Sequence, residues 1–342
     1  MVDVTNQPVE ELGLLARWRY VLRTTNPPAG KVDVVSKWLV LTRAAVLPMT
    51  ITAGAIAGLL AVHQRGFEWG WYLLALLGIV LAHAANNLMN DLFDLEVGLD
   101  TVEYPRGLYA PHPVLSGMIS RKGLGVAALV VNIADLGILV ALTAARGWPV
   151  IAFAVSGFLL SAAYTAPPLR LKKRGLGEPD VLVVWGPLMV GGTYYSAVGH
   201  LPWQVIAASL PYGLLCTAVL MGKHVDKLPW DETEGIRTLP VILGEVRARR
   251  ATQWLMAAFY ATVVIDVAVG ALPWPSLVAV AAIPAARQAW RALGQPKPDT
   301  PPADFPIWPL WFAAFAFLHT RRAGALLVLG LIVAAIADIT PF

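Results

Sequence analysis

The sequence predicts an all-α membrane protein that crosses the bilayer nine times. Of its 342 residues, 57% are hydrophobic and only 14% are charged, whereas soluble domains average about 25% charged residues. The mean hydropathy is +0.62. A spanning helix needs about 20 mostly apolar residues. Stretches of this kind occupy 38–62, 69–91, 123–145, 148–165, 181–199, 203–222, 252–272, 275–293 and 323–340.

The distribution of basic residues predicts the orientation. If there are nine spans, the N-terminal segment and the loops after spans two, four, six and eight lie on one side, and these segments are basic. The opposite loops contain little Lys or Arg beyond Arg65 and Arg146. The positive-inside rule then places the N-terminus in the cytoplasm and the C-terminus outside. We expect a multi-pass protein of a bacterial plasma membrane.

Two domain-level segments are predicted. Residues 1–36 are polar and form a cytoplasmic segment, in which Leu14, Leu15, Trp18 and Leu22 predict a short amphipathic helix on the membrane surface. Residues 37–342 form a single transmembrane domain, within which the Pro-broken stretch 305–317 is interpreted as an interfacial or re-entrant piece. The net charge of +4 is explained by basic loops, so nucleic acid is not an expected partner, and no obligate protein partner is evident.

A first acidic cluster lies at the end of the second predicted span, in "HAANNLMNDLFDLEVGLD". His83, Asn87, Asn90, Asp91 and Asp94 are three or four residues apart, so they share one helix face. Polar groups at this depth face protein or a water-filled cavity, because exposing them to lipid is costly. Carboxylate and amide oxygens are ligands that suit Mg²⁺.

A second acidic cluster follows the sixth predicted span, in "MGKHVDKLPWDETEGIRTLPVILGE". Asp226 and Asp231 are accompanied by Lys223, His224 and Arg237. The spacing of the two clusters fits two four-helix halves plus one further helix. A single cluster of this kind is often only a solvated loop. The pair, with cations nearby, indicates a site for a complex of a polyphosphate with Mg²⁺.

Four segments in order, "NDLFDLEVGLD", "YTAPPLRLKKRGLGE", "GPLMVGGTYY" and "DETEGIRTLPVILG", resemble the signatures of the UbiA superfamily of intramembrane prenyltransferases. The resemblance runs from about Arg43 to Gly244. It implies nine transmembrane helices around a central cavity that opens to the cytoplasm and to lipid. It also implies that Mg²⁺ on two Asp-rich motifs binds an isoprenyl diphosphate. The allylic cation formed by loss of diphosphate then alkylates a lipophilic or aromatic acceptor. The resemblance of the third segment, "GPLMVGGTYY", favours a quinone precursor of the naphthoate type.

The resemblance also implies the roles of individual residues. The expected metal ligands are Asn90, Asp91, Asp94, Asp100, Asp226 and Asp231. The expected diphosphate-binding residues are Arg43, Arg106, Lys172, Lys223 and Arg237. Asn87 and Tyr194 are expected to contact the prenyl group or the acceptor. Asp94, Asp231 and Tyr164 are expected to be catalytic, the tyrosine through its ring facing the cation.

The second motif departs from the pattern of the superfamily. Many members have two aspartates four residues apart, whereas Asp226 and Asp231 are five apart with Pro229 between them. Because proline removes a backbone donor and clashes with the preceding turn, we expect no regular helix there. His224 stands near a position where an asparagine is common.

Other interpretations stay open at the level of sequence. Arg43 either faces the cavity or is an interfacial arginine whose charge reaches water. The same scaffold also supports terpene cyclisation, carotenoid elongation, or phosphoribosyl transfer to a polyprenyl phosphate. A cation-coupled transporter is a further alternative, although the acids cluster at one face and are not distributed across the bilayer.

Overall fold

The computed structural model describes residues 13–28, 32–96, 112–303, 305 and 307–342, without the side chains of residues 94–96. No strand occurs in these ranges. The α-helices are α1 Leu14–Thr24, α2 Val34–Leu41, α3 Leu47–Ala61, α4 Trp69–Glu96, α5 Arg121–Arg146, α6 Pro149–Thr165, α7 Gly177–Val183, α8 Gly192–Val198, α9 Trp203–Thr233, α10 Leu239–Leu243, α11 Glu245–Ala268, α12 Ile283–Gly294 and α13 Trp311–Ile336. A π-helical segment, Val184–Gly191, joins α7 to α8, and 3₁₀ turns cover Leu171–Arg174 and Trp274–Ala282.

Each of the nine predicted spans coincides with a helical segment. In the described part of the chain, six helices are long and apolar enough to cross a membrane: Trp69–Phe93, Arg121–Arg146, Gly177–Val198, Trp203–Thr233, Glu245–Ala268 and Trp311–Ile336. The apolar helices α3 and α6 are shorter, and the eighth segment is divided between the 3₁₀ turn and α12. The protein is therefore an integral membrane protein, while the count of nine crossings and the division into two halves stay predictions.

Three local expectations are wrong. The predicted span 38–62 is broken between α2 and α3, where Arg43 has a positive φ of 52°. The stretch 305–317 does not form an independent re-entrant segment. Its residues from Trp311 onward are the first turns of α13, which continues to Ile336. Helix α9 runs through Pro229 to Thr233. Proline is tolerated within membrane helices when neighbouring groups satisfy the freed backbone, and packing of this helix outweighs the local cost.

A short helix, α1, precedes the bundle. In α1, Leu14, Leu15 and Leu22 are exposed while Val21 is buried. Asp33 caps α2 by accepting hydrogen bonds from Ser36 N at 2.9 Å and Ser36 Oγ at 2.6 Å. These bonds stabilise the carboxylate and lower the pKa of Asp33 to about 2. Contact of α1 with the membrane stays a prediction.

The centre of the bundle is built by α3, α9, α11 and α13. Their buried side chains form one apolar core that includes Ala53, Tyr212, Phe259 and Leu327. Close approaches between helices occur where a glycine leaves room, as at Gly330, whose added Cβ would lie 2.5 Å from Pro275 O. This core holds the ends of the helices in fixed positions relative to one another.

The two ends of the bundle differ in their polar contacts. One end is called the far end, and there Arg146 links α8 to the loop after α3. It donates a hydrogen bond to Ser196 O at 2.9 Å and forms an ion pair with Glu68 at 3.1 Å. His63 and Ala335 meet at the same end. The opposite end carries both predicted clusters and is called the site end. It contains the α2–α3 break, the last turns of α4 and α9, and the loop 166–176.

Candidate functional site

The first cluster forms where the α2–α3 break meets the last turns of α4. Arg43 pairs with Asp91, whose side chain is fully buried. Asn87 Nδ2 donates to Thr42 O at 2.9 Å, a carbonyl in the break between the helices. Burying a carboxylate is costly unless a cation or a hydrogen-bond donor compensates for the lost water, and the guanidinium of Arg43 is one such partner. The helix break is thus part of the site, because it brings Arg43 to α4.

Asn90 lies on the part of α4 that packs against α6. Its Oδ1 accepts a hydrogen bond from Thr165 Oγ1 at 3.0 Å. One turn earlier along α4, Asn86 Oδ1 accepts from Ser161 Oγ at 2.7 Å. His112 lies between α4 and α5 in the chain, and its Nε2 is 3.1 Å from Asp91 O. The polar stripe predicted from the sequence is therefore turned toward protein, not toward lipid.

The second cluster lies on one face of α9. His224, Lys227 and Asp231 are spaced by three and four residues, and each is at most 3% exposed. His224 Nδ1 lies 2.7 Å from Glu178 Oε1, and Lys227 Nζ lies 3.8 Å from Asp231 Oδ1. Among the described residues, Glu178 Oε2 and His224 Nε2 are buried without a hydrogen-bond partner. Such atoms indicate room for a water or a ligand.

The end of α6 and the loop after it connect the two clusters. Tyr164 precedes Thr165, the partner of Asn90, and its ring lies 3.1 Å from the position of a Cβ on Gly177. The same position is 3.4 Å from Lys172 Cα. Gly177 precedes Glu178, which belongs to the second cluster. Tyr164 and Lys172 thus lie between the first cluster and the second.

Arg237 and Lys223 lie at the same end. A Cβ on Gly175 would be 3.7 Å from Arg237 O, so the segment after α9 runs beside the loop 166–176. Lys223 is one turn before Lys227 on α9. The structure therefore places these basic residues at the same end of the bundle as the buried carboxylates, and their role in binding diphosphate stays a prediction.

Asp226 faces a different neighbour from Asp231. Its two oxygens accept hydrogen bonds from Phe312 N at 3.0 Å and Ala313 N at 2.8 Å. Lys297 Nζ is 3.7 Å from Asp226 Oδ1. The carboxylate thus caps the N-terminus of α13, a position favourable for an anion. The structure does not bring Asp226 together with Asp91 or Asp231.

Tyr194 also lies away from the clusters. It is fully buried in α8, and its ring packs near His200 and Phe342, with centroids 6.0 and 6.5 Å away. These residues belong to the far end of the bundle. Tyr194 is therefore not among the residues that the structure collects at the site end.

Some of the predicted residues cannot be placed. Asp100 and Arg106 lie outside the described residues, as does the side chain of Asp94. Three other members of the site were missed at the level of sequence: Glu178, Lys227 and Thr165. The four-residue spacing of Lys227 and Asp231 was a usable signal, but the expectation of a helix break at Pro229 hid it. Glu178 gave no such signal, because its partner is on another helix.

The donor set fits a hard divalent cation in its chemistry. It consists of carboxylate and amide oxygens on Asn90, Asp91, Glu178 and Asp231, and Glu178 Oε2 is an orphaned buried acceptor. In the described ranges no three acidic, His or Cys side chains form a ready metal cage. The carboxylates are instead near cationic side chains, so a metal would share them with Arg43 and Lys227.

Comparison with known proteins connects this arrangement to characterised relatives. The chain is 27% identical over 252 residues to a 2-carboxy-1,4-naphthoquinone phytyltransferase of Synechocystis, covering 73% of this chain and 78% of the relative. It is 30% identical over 263 residues to a 1,4-dihydroxy-2-naphthoate octaprenyltransferase of Mycobacterium tuberculosis, covering 74% of this chain and 85% of the relative.

Solved structures share the fold. A UbiA homologue from Aeropyrum pernix K1 superposes with a TM-score of 0.60 at 16% identity, over 84% of this chain and 97% of the other. A UbiA homologue from Archaeoglobus fulgidus, solved with GPP and Mg²⁺, gives 0.54 at 18% identity, over 85% and 99%. The profile of the UbiA prenyltransferase family matches residues 50–310. The chain therefore belongs to the UbiA prenyltransferase family.

Proposed function

We propose that the protein transfers an isoprenyl group from an isoprenyl diphosphate to an aromatic quinone precursor of the naphthoate type. The observation that carries this proposal is the presence of two buried polar clusters, one around Asp91 and one around Asp231, at the same end of an apolar bundle. The names of the relatives from Synechocystis and M. tuberculosis support the class of acceptor.

Mg²⁺ is the proposed cofactor. Asn90, Asp91 and Asp231 would hold it, together with Asp94 and Asp100 as the sequence predicts. Asp226 is left out of this set, because both of its oxygens cap α13. When bound, Mg²⁺ would neutralise phosphate oxygens and so favour departure of the diphosphate.

The basic residues would form a clamp around the diphosphate. Its proposed members are Arg43, Lys172, Lys223 and Arg237, all at the site end, and the sequence adds Arg106. During the reaction, the bond between the prenyl carbon and the diphosphate oxygen breaks, and the electron pair leaves with the diphosphate. Fixed cations stabilise the negative charge that develops there, and in a low-dielectric site they do so more strongly than in water. Lys227, which forms an ion pair with Asp231, would add a further positive charge near the departing diphosphate.

The allylic cation would then be attacked by a carbon of the acceptor ring, which afterwards loses a proton. The ring of Tyr164 is proposed to face this cation, an interaction worth about 2 kcal/mol or more when desolvated. The apolar bundle would exclude water, which would otherwise capture the cation. Asn87, fixed by its bond to Thr42 O, would border the acceptor.

The active site is proposed to face the cytoplasm of a bacterial plasma membrane. The site end carries the basic segments of the sequence, including Lys172, Arg174 and Arg237. The positive-inside rule places such segments in the cytoplasm. An isoprenoid chain would extend from the site into the bundle or the surrounding lipid.

A second acceptor class is supported by one relative. The chain is 27% identical over 229 residues to a digeranylgeranylglyceryl phosphate synthase of Natronomonas pharaonis. An alcohol acceptor of this kind would attack the allylic cation through its oxygen and not through a ring carbon, and would then lose the hydroxyl proton. The proposed diphosphate end of the site would serve either acceptor equally.

One experiment separates these possibilities. Purified protein is incubated with labelled geranylgeranyl diphosphate, Mg²⁺ and, in parallel, a dihydroxynaphthoate, 4-hydroxybenzoate or a prenylated glyceryl phosphate. We expect pyrophosphate release and a prenylated product with the naphthoate, and no product after EDTA treatment. Product only with the glyceryl phosphate would move the assignment to the second class. Absence of pyrophosphate with every acceptor would count against the proposed reaction.

A further inference from the structure

A groove of about 580 Å³ lies on the outer surface at the site end, between α12 and the first turns of α13. It is separate from the clusters described above. Its main lining residues are Arg287, Gln288, Arg291, Gln295, Trp311 and Phe315. The groove thus combines cationic and amide groups on one wall with aromatic rings on the other.

The polar wall is one stripe of α12. Arg287, Arg291 and Gln295 are four residues apart, so neighbouring side chains lie about 6 Å from each other. The opposite stripe, with Ala285, Ala289 and Leu293, is buried in the bundle. Both arginines are exposed, and within the described ranges neither has a carboxylate at ion-pair distance. Two positive charges are therefore available to a ligand.

The aromatic wall lies at the edge of the core of the bundle. Phe312 and Ala316 are buried in that core, and Trp311 and Phe315 are half-buried and pack against it from the neighbouring stripe of α13. Their ring centroids are 4.9 Å apart, and Phe305 stacks on Trp311 at 5.1 Å. This wall offers a rigid apolar surface beside the arginines.

The position along the helix matches the edge of a bilayer. From Gln295 at the end of α12 to Pro284, the groove extends about 16 Å along the helix axis. Trp254 and Trp290, both exposed, pack together near it with centroids 6.2 Å apart. Exposed tryptophans of membrane helices concentrate at the headgroup level. The two arginines therefore lie where lipid phosphates are found.

We propose that this groove binds an acidic phospholipid, with its phosphate between Arg287 and Arg291 and its glycerol and upper acyl chain on Trp311 and Phe315. Arginine binds phosphate oxygens in a bidentate manner, and basic pockets between membrane helices bind acidic lipid headgroups. A soluble phosphate would use the arginines but not the aromatic wall. The bound lipid bridges α12 and α13, so it stabilises the folded protein.

The test compares lipids in native mass spectrometry of the purified, delipidated protein. Phosphatidylglycerol and phosphatidylcholine with identical acyl chains are added in turn to wild type, to R287Q/R291Q and to R247Q/R250Q. The last variant is the matched control, since it removes two exposed arginines from the site end outside the groove. Thermal unfolding with each lipid is the second readout.

We expect wild type and the control to bind phosphatidylglycerol about tenfold more tightly than R287Q/R291Q does, as two lost arginine contacts imply. Phosphatidylglycerol should also raise the Tm of wild type and of the control, but not that of R287Q/R291Q. Soluble glycerol phosphate should not compete.

Three results would overturn the proposal. They are equal binding of phosphatidylglycerol by R287Q/R291Q, equal binding of both lipids by wild type, and full competition by soluble glycerol phosphate or an isoprenyl diphosphate. If R287Q/R291Q does not fold, the comparison of phosphatidylglycerol with phosphatidylcholine on wild type still tests the proposal, because equal binding of the two lipids contradicts it.

Discussion

At the scale of single residues, Asp226 and Asp231 have different surroundings although they are five positions apart on one helix. Each residue of an α-helix turns it by about 100°, so the two side chains are about 140° apart around α9. Asp231 faces Lys227, whereas Asp226 faces the N-terminus of α13 and Lys297. Lys297 Nζ also lies 4.7 Å from the centre of the Trp308 ring. Burial lowers the pKa of Lys297, and the charge of Asp226 opposes this shift.

This difference predicts two distinct phenotypes. Asp231→Asn should lower kcat per folded enzyme by about 100-fold or more, because charge at the reacting end is lost. It should also lower stability, because Lys227 loses a buried carboxylate partner. Asp226→Asn should lower stability by about 2 kcal/mol, because a charge-assisted helix cap is lost, and leave turnover per folded enzyme near wild type. Thermal unfolding and pyrophosphate release measure the two effects. Loss of turnover in a fully stable Asp226→Asn would return that residue to the metal site.

Arg43 provides a second prediction at this scale. Its positive φ is unfavourable by roughly 1–2 kcal/mol for a residue with a Cβ, and glycine would relieve that cost. Arg43→Gly would nevertheless break the ion pair with the buried Asp91, and breaking a buried ion pair costs about 3–5 kcal/mol. We therefore expect Arg43→Gly to unfold at lower temperature and to bind the diphosphate more weakly. A stability equal to or above that of wild type would show that the ion pair contributes little.

At the scale of elements, glycines set how closely the helices approach. Gly330 on α13 faces the 3₁₀ segment Trp274–Ala282, and a Cβ there would lie 2.7 Å from Ser276 Cα as well as close to Pro275 O. Both contacts are with backbone, so neither can move aside without shifting the segment. The same 3₁₀ segment leads into α12, and α12 forms one wall of the lipid groove.

Gly330→Ala should therefore destabilise the protein by about 1–3 kcal/mol, because two backbones must separate. The matched control is Gly137→Ala in α5, where nothing lies within 4 Å of the added Cβ. That substitution should be neutral or stabilise the helix by up to about 1 kcal/mol. Thermal unfolding of the two variants in the same detergent tests the comparison. Equal melting temperatures would show that α13 shifts freely at this contact.

At the scale of the whole molecule, the polar groups are separated between the two ends of an apolar bundle. The site end contains the Arg43–Asp91 and Lys227–Asp231 ion pairs and the contact of His224 with Glu178, and the far end contains the Arg146 network. This separation suits the proposed substrate. Its charged diphosphate would stay near water at the site end, while its apolar prenyl chain would extend into the bundle or the lipid. The orientation proposed above can be tested because the only cysteine, Cys216, is buried.

Single cysteines placed at the two ends should react from opposite sides of the membrane. Glu234→Cys lies at the site end and His200→Cys at the far end, and both positions are exposed. In right-side-out vesicles, a membrane-impermeant maleimide should label His200→Cys and leave Glu234→Cys unlabelled. Wild type is the control for background labelling of Cys216. The reverse pattern would place the site outside, and labelling of both positions would contradict the predicted crossing between them.

Much of the fold and part of the site followed from local pattern. The lengths of the apolar stretches located the long helices, because the thickness of the hydrocarbon core of a bilayer requires about 20 apolar residues for each crossing. The spacing of Asn87, Asn90 and Asp91 predicted one polar face, and the structure places them on it. This worked because residues three or four apart on a helix share a face whatever surrounds that helix.

By itself, the sequence determined the membrane class, the approximate positions of the helices, the family and the polar face of α4. Only the tertiary structure decided that α2 and α3 part at Arg43, that α9 continues through Pro229, and that Glu178 reaches His224. Each of these depends on contacts between segments distant in the chain. Local propensity cannot supply such contacts, because the packing of neighbouring helices sets which side chains meet and whether a proline is tolerated.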